Sequence, residues 1–128
     1  MKVAVIYWCQ GAGHAARNIP IAQELEERGH DVLMEGGGPG QMFAEMNGFG
    51  MDEYNFRTIP VISSSPIDIL KRGLTEVIPS ALGRFRTSMK FLKKEDPDLV
   101  ITDDHTMILA ATLRRKKYHT INHPRPEF

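Results

Sequence analysis

Val3-Ala4-Val5-Ile6-Tyr7-Trp8, followed after Cys9 and Gln10 by Gly11-Ala12-Gly13-His14, decides the fold. A continuous apolar run with β-branched residues is the pattern of a strand buried on both faces of a parallel sheet. The glycine turn behind it leads into a helical pattern, with Ile21, Ala22 and Leu25 facing inward and Gln23, Glu24, Glu26 and Glu27 facing out. Arg28-Gly29 ends that helix, with glycine where the chain needs a positive φ.

The same alternation continues outward. Asp31 to Met34 reads as a second strand, and Gly36-Gly37-Gly38-Pro39-Gly40 separates it from a short helix carrying Met42, Phe43 and Met46, closed by Asn47-Gly48. Phe56 to Val61 is a weaker strand. Ser65-Pro66 opens a helical stretch in which Ile67, Leu70, Leu74, Val77, Ala81, Phe85, Met89 and Leu92 recur every three or four residues. Pro79 interrupts it, so the spacing predicts two consecutive helices or one kinked helix. Asp98 to Thr102 is a strand, His105 to Arg115 a helix, and Tyr118 to Asn122 a final strand. The expected fold is α/β: a Rossmann-like parallel sheet with helices on both faces and a ligand crevice at the C-terminal strand edges. Gly11 to Asn18, Gly36 to Gly40 and Asp103 to Thr106 meet at that crevice in this reading.

Composition bounds the function. With 128 residues, 41% hydrophobic and 25% charged, the chain supports one core and not two full domains. Sixteen Lys+Arg balance sixteen Asp+Glu, which argues for neither a nucleic-acid binder nor an acidic tail. The single Cys9 excludes an internal disulfide framework and fits a reducing compartment. The opening apolar run is too short for a signal segment, and no run reaches the roughly 18 to 20 apolar residues of a membrane span. The expectation is a soluble intracellular domain.

Charge is segregated. From Glu24 to Glu53 eight acids face one base, Arg28, whereas from Ile67 to Lys94 seven bases face two acids. Arg86, Lys90 and Lys93 share a helical face beside Phe85, Met89 and Leu92. Such a helix either packs its apolar stripe on the sheet with its basic face in water, the expectation here, or rests on an anionic membrane.

A glycine turn at a helix N-terminus admits a phosphate to backbone N–H groups. Gly11-Ala12-Gly13-His14-Ala15-Ala16 matches G-x-G-x-x-[GA], and Glu35 stands where a dinucleotide ribose ligand would. Against an NAD(P)-binding oxidoreductase domain, a helix starting inside that motif would put Pro20 in its second turn; a start near Asn18 to Pro20 is expected instead. The loop also carries His14, a residue type able to take a proton near neutral pH, which suits group transfer from a nucleotide-activated donor better than hydride transfer.

Gly13-His14, Pro20 and the run from Ile21 through Glu26-Glu27-Arg28-Gly29-His30-Asp31-Val32 resemble the opening of GT-B glycosyltransferases. In these a "GH…P" loop leads to a helix ending "L-x-x-R-G-H-x-V". The nearest likeness is to glycosyltransferase family 28, which includes the N-acetylglucosaminyltransferase of peptidoglycan synthesis and the monogalactosyldiacylglycerol synthases. Gly37-Gly38-Pro39-Gly40 with Asn47-Gly48-Phe49 resembles the second loop of that family's uncharacterised prokaryotic members. Pro97-Asp98-Leu99-Val100-Ile101-Thr102-Asp103 resembles the "P-D-L-V-x-x-D" strand of UDP-glycosyltransferases.

The resemblance implies an acceptor-binding domain of an inverting enzyme, in which a loop histidine takes the acceptor's proton and a strand-end aspartate orients it. Those roles fall on His14 and Asp103, with Asp104 as the neighbouring candidate. For His14 the roles of base, loop ligand and structural residue stay open. Gly11, Ala12, Gly13, Arg17, Asn18, Gly37, Gly38 and His105 are candidate substrate or phosphate contacts, and Arg86, Lys90 and Lys93 candidate membrane contacts. The implied co-substrate is a nucleotide-sugar donor, a UDP-sugar by family; the implied acceptor is a sugar or lipid-linked hydroxyl. The implied location is cytoplasmic, peripheral at the inner membrane face.

Two departures from the family stand out: Pro20 comes six positions after His14, more than in many members, and no second Rossmann-like pattern follows within residues 1–128. The expectation is one incomplete GT-B N-terminal domain, a fragment or half of a split enzyme, inactive without a donor-binding domain or subunit. A non-catalytic acceptor-recognition subunit is the further alternative. A metal site from Asp103, Asp104, His105, His119 and His123 is set aside, because the histidines span a strand and its exit rather than one helical face. Arg114 to Lys117 reads as a solvated helix end and Cys9 as a small buried residue.

Overall fold

The computed structural model describes residues 1–9, 13–49, 54, 56, 58–59 and 65–120, the side chain of Asp68 excepted. In chain order the elements are β1 (Lys2–Ile6), α1 (Gly13–Glu27), β2 (Asp31–Glu35), α2 (Gly40–Met46), α3 (Pro66–Arg72), a π-helical turn (Gly73–Val77), α4 (Ile78–Glu95), β3 (Leu99–Thr102), α5 (His105–Leu113) and β4 (Tyr118–Thr120). The strands form one parallel sheet in the order β2-β1-β3-β4. Val3 is paired with Val32 on one side and Leu99 on the other. This is the Rossmann-like α/β architecture expected from the sequence.

Two apolar layers sandwich the sheet. Val3, Val5 and Tyr7 pack with Ala15, Ile19 and Ala22 of α1 and Ala44 of α2. Ala4, Ile6 and Val100 face the other way, onto Phe91 and Leu92 of α4 and Met107, Ala110 and Ala111 of α5. Alternate residues of β1 thus serve opposite cores, which is why its sequence shows no polar face. The chain leaves β1 for β2 on one side and reaches β3 on the other. The C-terminal edge between β1 and β3 is therefore the topological switch point where such sheets bind ligands.

Three expectations need correction. Helix α1 begins at Gly13, not near Asn18 to Pro20, and Pro20 lies inside it. Pro20 and Ala16 are both exposed, so water can reach the Ala16 carbonyl that the missing proline N–H leaves unbonded. The Pro20 argument against a dinucleotide loop therefore falls. Second, the expected strand at Phe56 to Val61 is not formed at Phe56, Thr58 and Ile59, and its other positions lie outside the described residues, as do Ile121 and Asn122 of the last strand.

The third correction concerns the helical rod from Pro66 to Glu95. It is continuous through the π turn, whose extra residue relieves the clash that Pro79 would make with the Thr75 carbonyl. That residue also turns the following face by about 100° relative to an unbroken helix. The apolar stripe does not pack as one. Phe85, Met89 and Leu92 reach the core, but Ile67, Leu70 and Leu74 are 77%, 68% and 63% exposed.

Candidate functional site

Past the end of β1, side chains of the β3 exit extend the strand ladder. The Thr102 hydroxyl donates to the Ile6 carbonyl at 2.7 Å, and the Trp8 N–H donates to Asp103 Oδ1 at 2.7 Å. The other oxygen of that carboxylate, Oδ2, lies 2.7 Å from His14 Nδ1 in the first turn of α1. Residues 89 positions apart in sequence thus form one pair at the switch point. Their side chains are 24% and 10% exposed, at the surface of the domain but screened from bulk water. An ionised Asp103 accepts only, so Nδ1 carries the proton and Nε2 is the basic nitrogen of the ring.

The first turn of α1 is braced around His14. Asn18 is fully buried and its Nδ2 donates to the His14 carbonyl at 2.6 Å. The exposed Arg17 donates through Nε to the Gly13 carbonyl at 3.3 Å, and its Nη2 lies 3.4 Å from His14 Nδ1. A guanidinium thus sits beside the imidazole, where an anionic group of a ligand would meet it.

Asp104 has a different environment from its neighbour. It is fully buried, and its Oδ1 caps α5 by accepting from the Thr106 N–H at 2.9 Å and the Thr106 hydroxyl at 2.7 Å. Its Oδ2 accepts from Arg84 Nε at 2.8 Å. Arg84 is itself 0% exposed and also donates to the carbonyls of Gly36 at 2.7 Å and Tyr7 at 3.0 Å. Its guanidinium carbon stands 5.5 Å from the Trp8 ring centre and 5.2 Å from that of Phe56. The structure brings His14 and Asp103 together and directs Asp104 into the protein. Arg84 is one of the seven bases between Ile67 and Lys94, and in the sequence only its place next to the apolar Phe85 hints at an inward arginine.

Of the glycine candidates, Gly11 and Ala12 lie outside the described residues. Gly13 opens α1, with open space where a Cβ would project. Gly37 and Gly38 have φ of 71° and 66°, and a Cβ on either would lie 2.4 Å from the carbonyl oxygen of Phe56 or Cys9. Packing alone therefore requires glycine there. Glu35, at the end of β2, is buried at 6% exposure. His105 is exposed at the start of α5, and His119 is exposed on β4, on a different strand from the pair; His123 lies outside the described residues.

Arg86, Lys90 and Lys93 are exposed on α4. Upstream along the same rod Ile67, Leu70, Leu74, Ile78 and Leu82 form an exposed apolar ridge, flanked by Lys71 and Arg72. Among the described residues, no helix is long and apolar enough to cross a membrane.

No family model matches the chain. It is 28% identical over 127 residues to an uncharacterised glycosyltransferase of Methanosarcina mazei, covering 96% of this chain and 33% of that protein. The chain therefore spans about a third of the length of the curated relative it matches. Among solved structures it resembles MurG of Acinetobacter baumannii, with a TM-score of 0.65 at 16% identity, over 93% of this chain and 34% of that one. The glycosyltransferase VinC, solved in complex with DTDP, gives a TM-score of 0.64 at 16% identity, over 92% of this chain and 33% of that one. At such identities the structural likeness is one of fold.

Proposed function

We propose that this glycosyltransferase-like domain of GT-B fold is the acceptor side of an inverting, nucleotide-sugar-dependent transferase. The observation that carries this reading is the His14–Asp103 pair at the C-terminal edge of β1 and β3. A hydroxyl is a poor nucleophile until a base accepts its proton. His14 Nε2 takes that proton, while the Asp103 carboxylate fixes the tautomer and balances the charge that develops on the ring. The acceptor oxygen then attacks the anomeric carbon from the face opposite the departing nucleoside diphosphate. One C–O bond forms as another breaks, and the configuration inverts. Arg17, whose Nη2 lies 3.4 Å from His14 Nδ1, stands beside the imidazole as a contact for an anionic group of donor or acceptor.

The nucleotide sugar is held by a second domain or subunit in this reading, so residues 1–128 do not turn over alone. Support comes from the third-length coverage of the Methanosarcina relative and from the nucleotide in VinC. A UDP-sugar is the first donor to test. The acceptor is lipid-linked: the ridge from Ile67 to Leu82, continued by Arg86, Lys90 and Lys93, suits the anionic face of a bilayer from which such an acceptor is drawn.

The test is sugar transfer, with a panel of nucleotide sugars, by the protein that joins this chain to its donor-binding domain. His14→Ala is expected to lower kcat by about 10² to 10⁴-fold while the fold is retained. Undiminished turnover by a folded His14→Ala protein would reduce the loop to a binding or structural role.

The oxidoreductase alternative regains one argument, because α1 does start inside the glycine motif. It loses another, since the Glu35 carboxylate meant for the ribose is buried. Calorimetric titration with NAD, repeated on Glu35→Ala, separates the two readings.

A further inference from the structure

We propose that Arg84 is the positioning residue of the His14–Asp103 pair, an inference that rests on that pair being the proton-accepting one. Nothing in the resemblance to glycosyltransferases points to Arg84; the geometry does. Asp103 sits between two backbone segments, residues 7–8 at the end of β1, whose Trp8 N–H holds its Oδ1, and residue 104 at the start of α5. Arg84 bonds both: the Tyr7 carbonyl at 3.0 Å and the Asp104 carboxylate at 2.8 Å, with the Gly36 carbonyl at 2.7 Å as a third anchor. One planar, fully buried guanidinium therefore fixes the distance between the two supports of the carboxylate that orients His14.

The energetics favour a role in geometry. A buried ion pair pays a desolvation cost that its attraction often only offsets, so an apolar pair of similar volume would serve stability as well. What an apolar pair lacks is direction. Three N–H donors aimed at three strand ends set β1, β2 and the β3–α5 junction to within a hydrogen-bond length of one another. Trp8 and Phe56 close over the guanidinium and hold its plane.

The test reads His14 by 15N and 1H NMR in the chain as it stands. Arg84→Met alone strands a buried aspartate and can unfold the domain, so the decisive variant is Arg84→Met with Asp104→Asn. It removes both charges and keeps an oxygen to cap α5. The expected result is loss of the downfield Nδ1–H resonance, or solvent exchange of that proton at least about tenfold faster, with α5 amide protection retained. Arg84→Lys with Asp104 kept, which places its donors on one nitrogen where arginine spreads them over a planar fork, should retain the resonance only in part. An Nδ1–H resonance unchanged in the folded double variant would overturn the proposal and leave Arg84 a purely structural residue. The sugar-transfer assay on His14→Ala judges the underlying reading separately, so the two failures cannot be confused.

Discussion

The two halves of the rod from Pro66 to Glu95 carry one sequence pattern and meet opposite surroundings. From α3 through the π turn into the first turns of α4, Ile67, Leu70, Leu74, Ile78 and Leu82 stand in solvent. Downstream, Phe91, Leu92, Ser88 and even the charged Arg84 are buried. Periodicity records which residues share a face; it does not record what that face meets. Where the sheet runs beneath the rod, α4 can bury an arginine, because strand-end carbonyls and Asp104 supply acceptors. Beyond the sheet, leucines find nothing in the described chain to cover them.

The largest effect should come from the buried half. Arg84→Met is expected to cost about 3 to 5 kcal/mol in urea unfolding, because Asp104 keeps its charge and loses its partner. A cost under about 1 kcal/mol would erase the contrast between the halves. Leu92→Ala, also in the buried half, should cost about 3 kcal/mol through the cavity it leaves.

Leu70→Ser with Leu74→Ser probes the other half and should leave stability within about 0.5 kcal/mol of wild type. The same pair should weaken sedimentation with vesicles of mixed anionic and zwitterionic lipid by about tenfold or more. A large loss of stability there would mean that protein, not lipid, covers the ridge.

The smallest effect concerns the last turn of α4. The Tyr54 hydroxyl, then Lys2 at 2.9 Å, hold the Glu95 carboxyl below its ordinary value of 4.5. A carboxyl with a lowered folded-state pKa stabilises the fold above that ordinary value, and the gain drains away as pH falls below it. Glu95→Gln should therefore be slightly less stable than wild type near neutrality and converge with it in acid, as thermal unfolding across the pH range would record.

Much of the fold was legible. The strands near Val3, Asp31, Leu99 and Tyr118 lie where apolar runs between turn residues put them, and helix α5 starts at His105 as expected. These signals are local, written in burial on both faces and in capping. The start of α1 departs from the expectation because proline's cost inside a helix depends on where its orphaned carbonyl lies, and at Pro20 that carbonyl belongs to the exposed Ala16. The site was half legible. A histidine on the first βα loop and an acid at the end of a later strand are visible as residue types. Which of Asp103 and Asp104 faces the histidine depends on the strand pleat and on Arg84, a partner twenty residues away whose burial no composition rule anticipates.

The separation of His14 and Asp103 in the chain has a consequence for biosynthesis. Their meeting requires β1 to accept β3 as its neighbour, a closure across most of the polypeptide. At ribosomal speeds of about 5 to 20 residues per second, β1 waits roughly 5 to 20 seconds for that strand to be made. Until then the nascent chain holds an imidazole with no acid beside it, so base and orienting group come into being together, in a single late docking event.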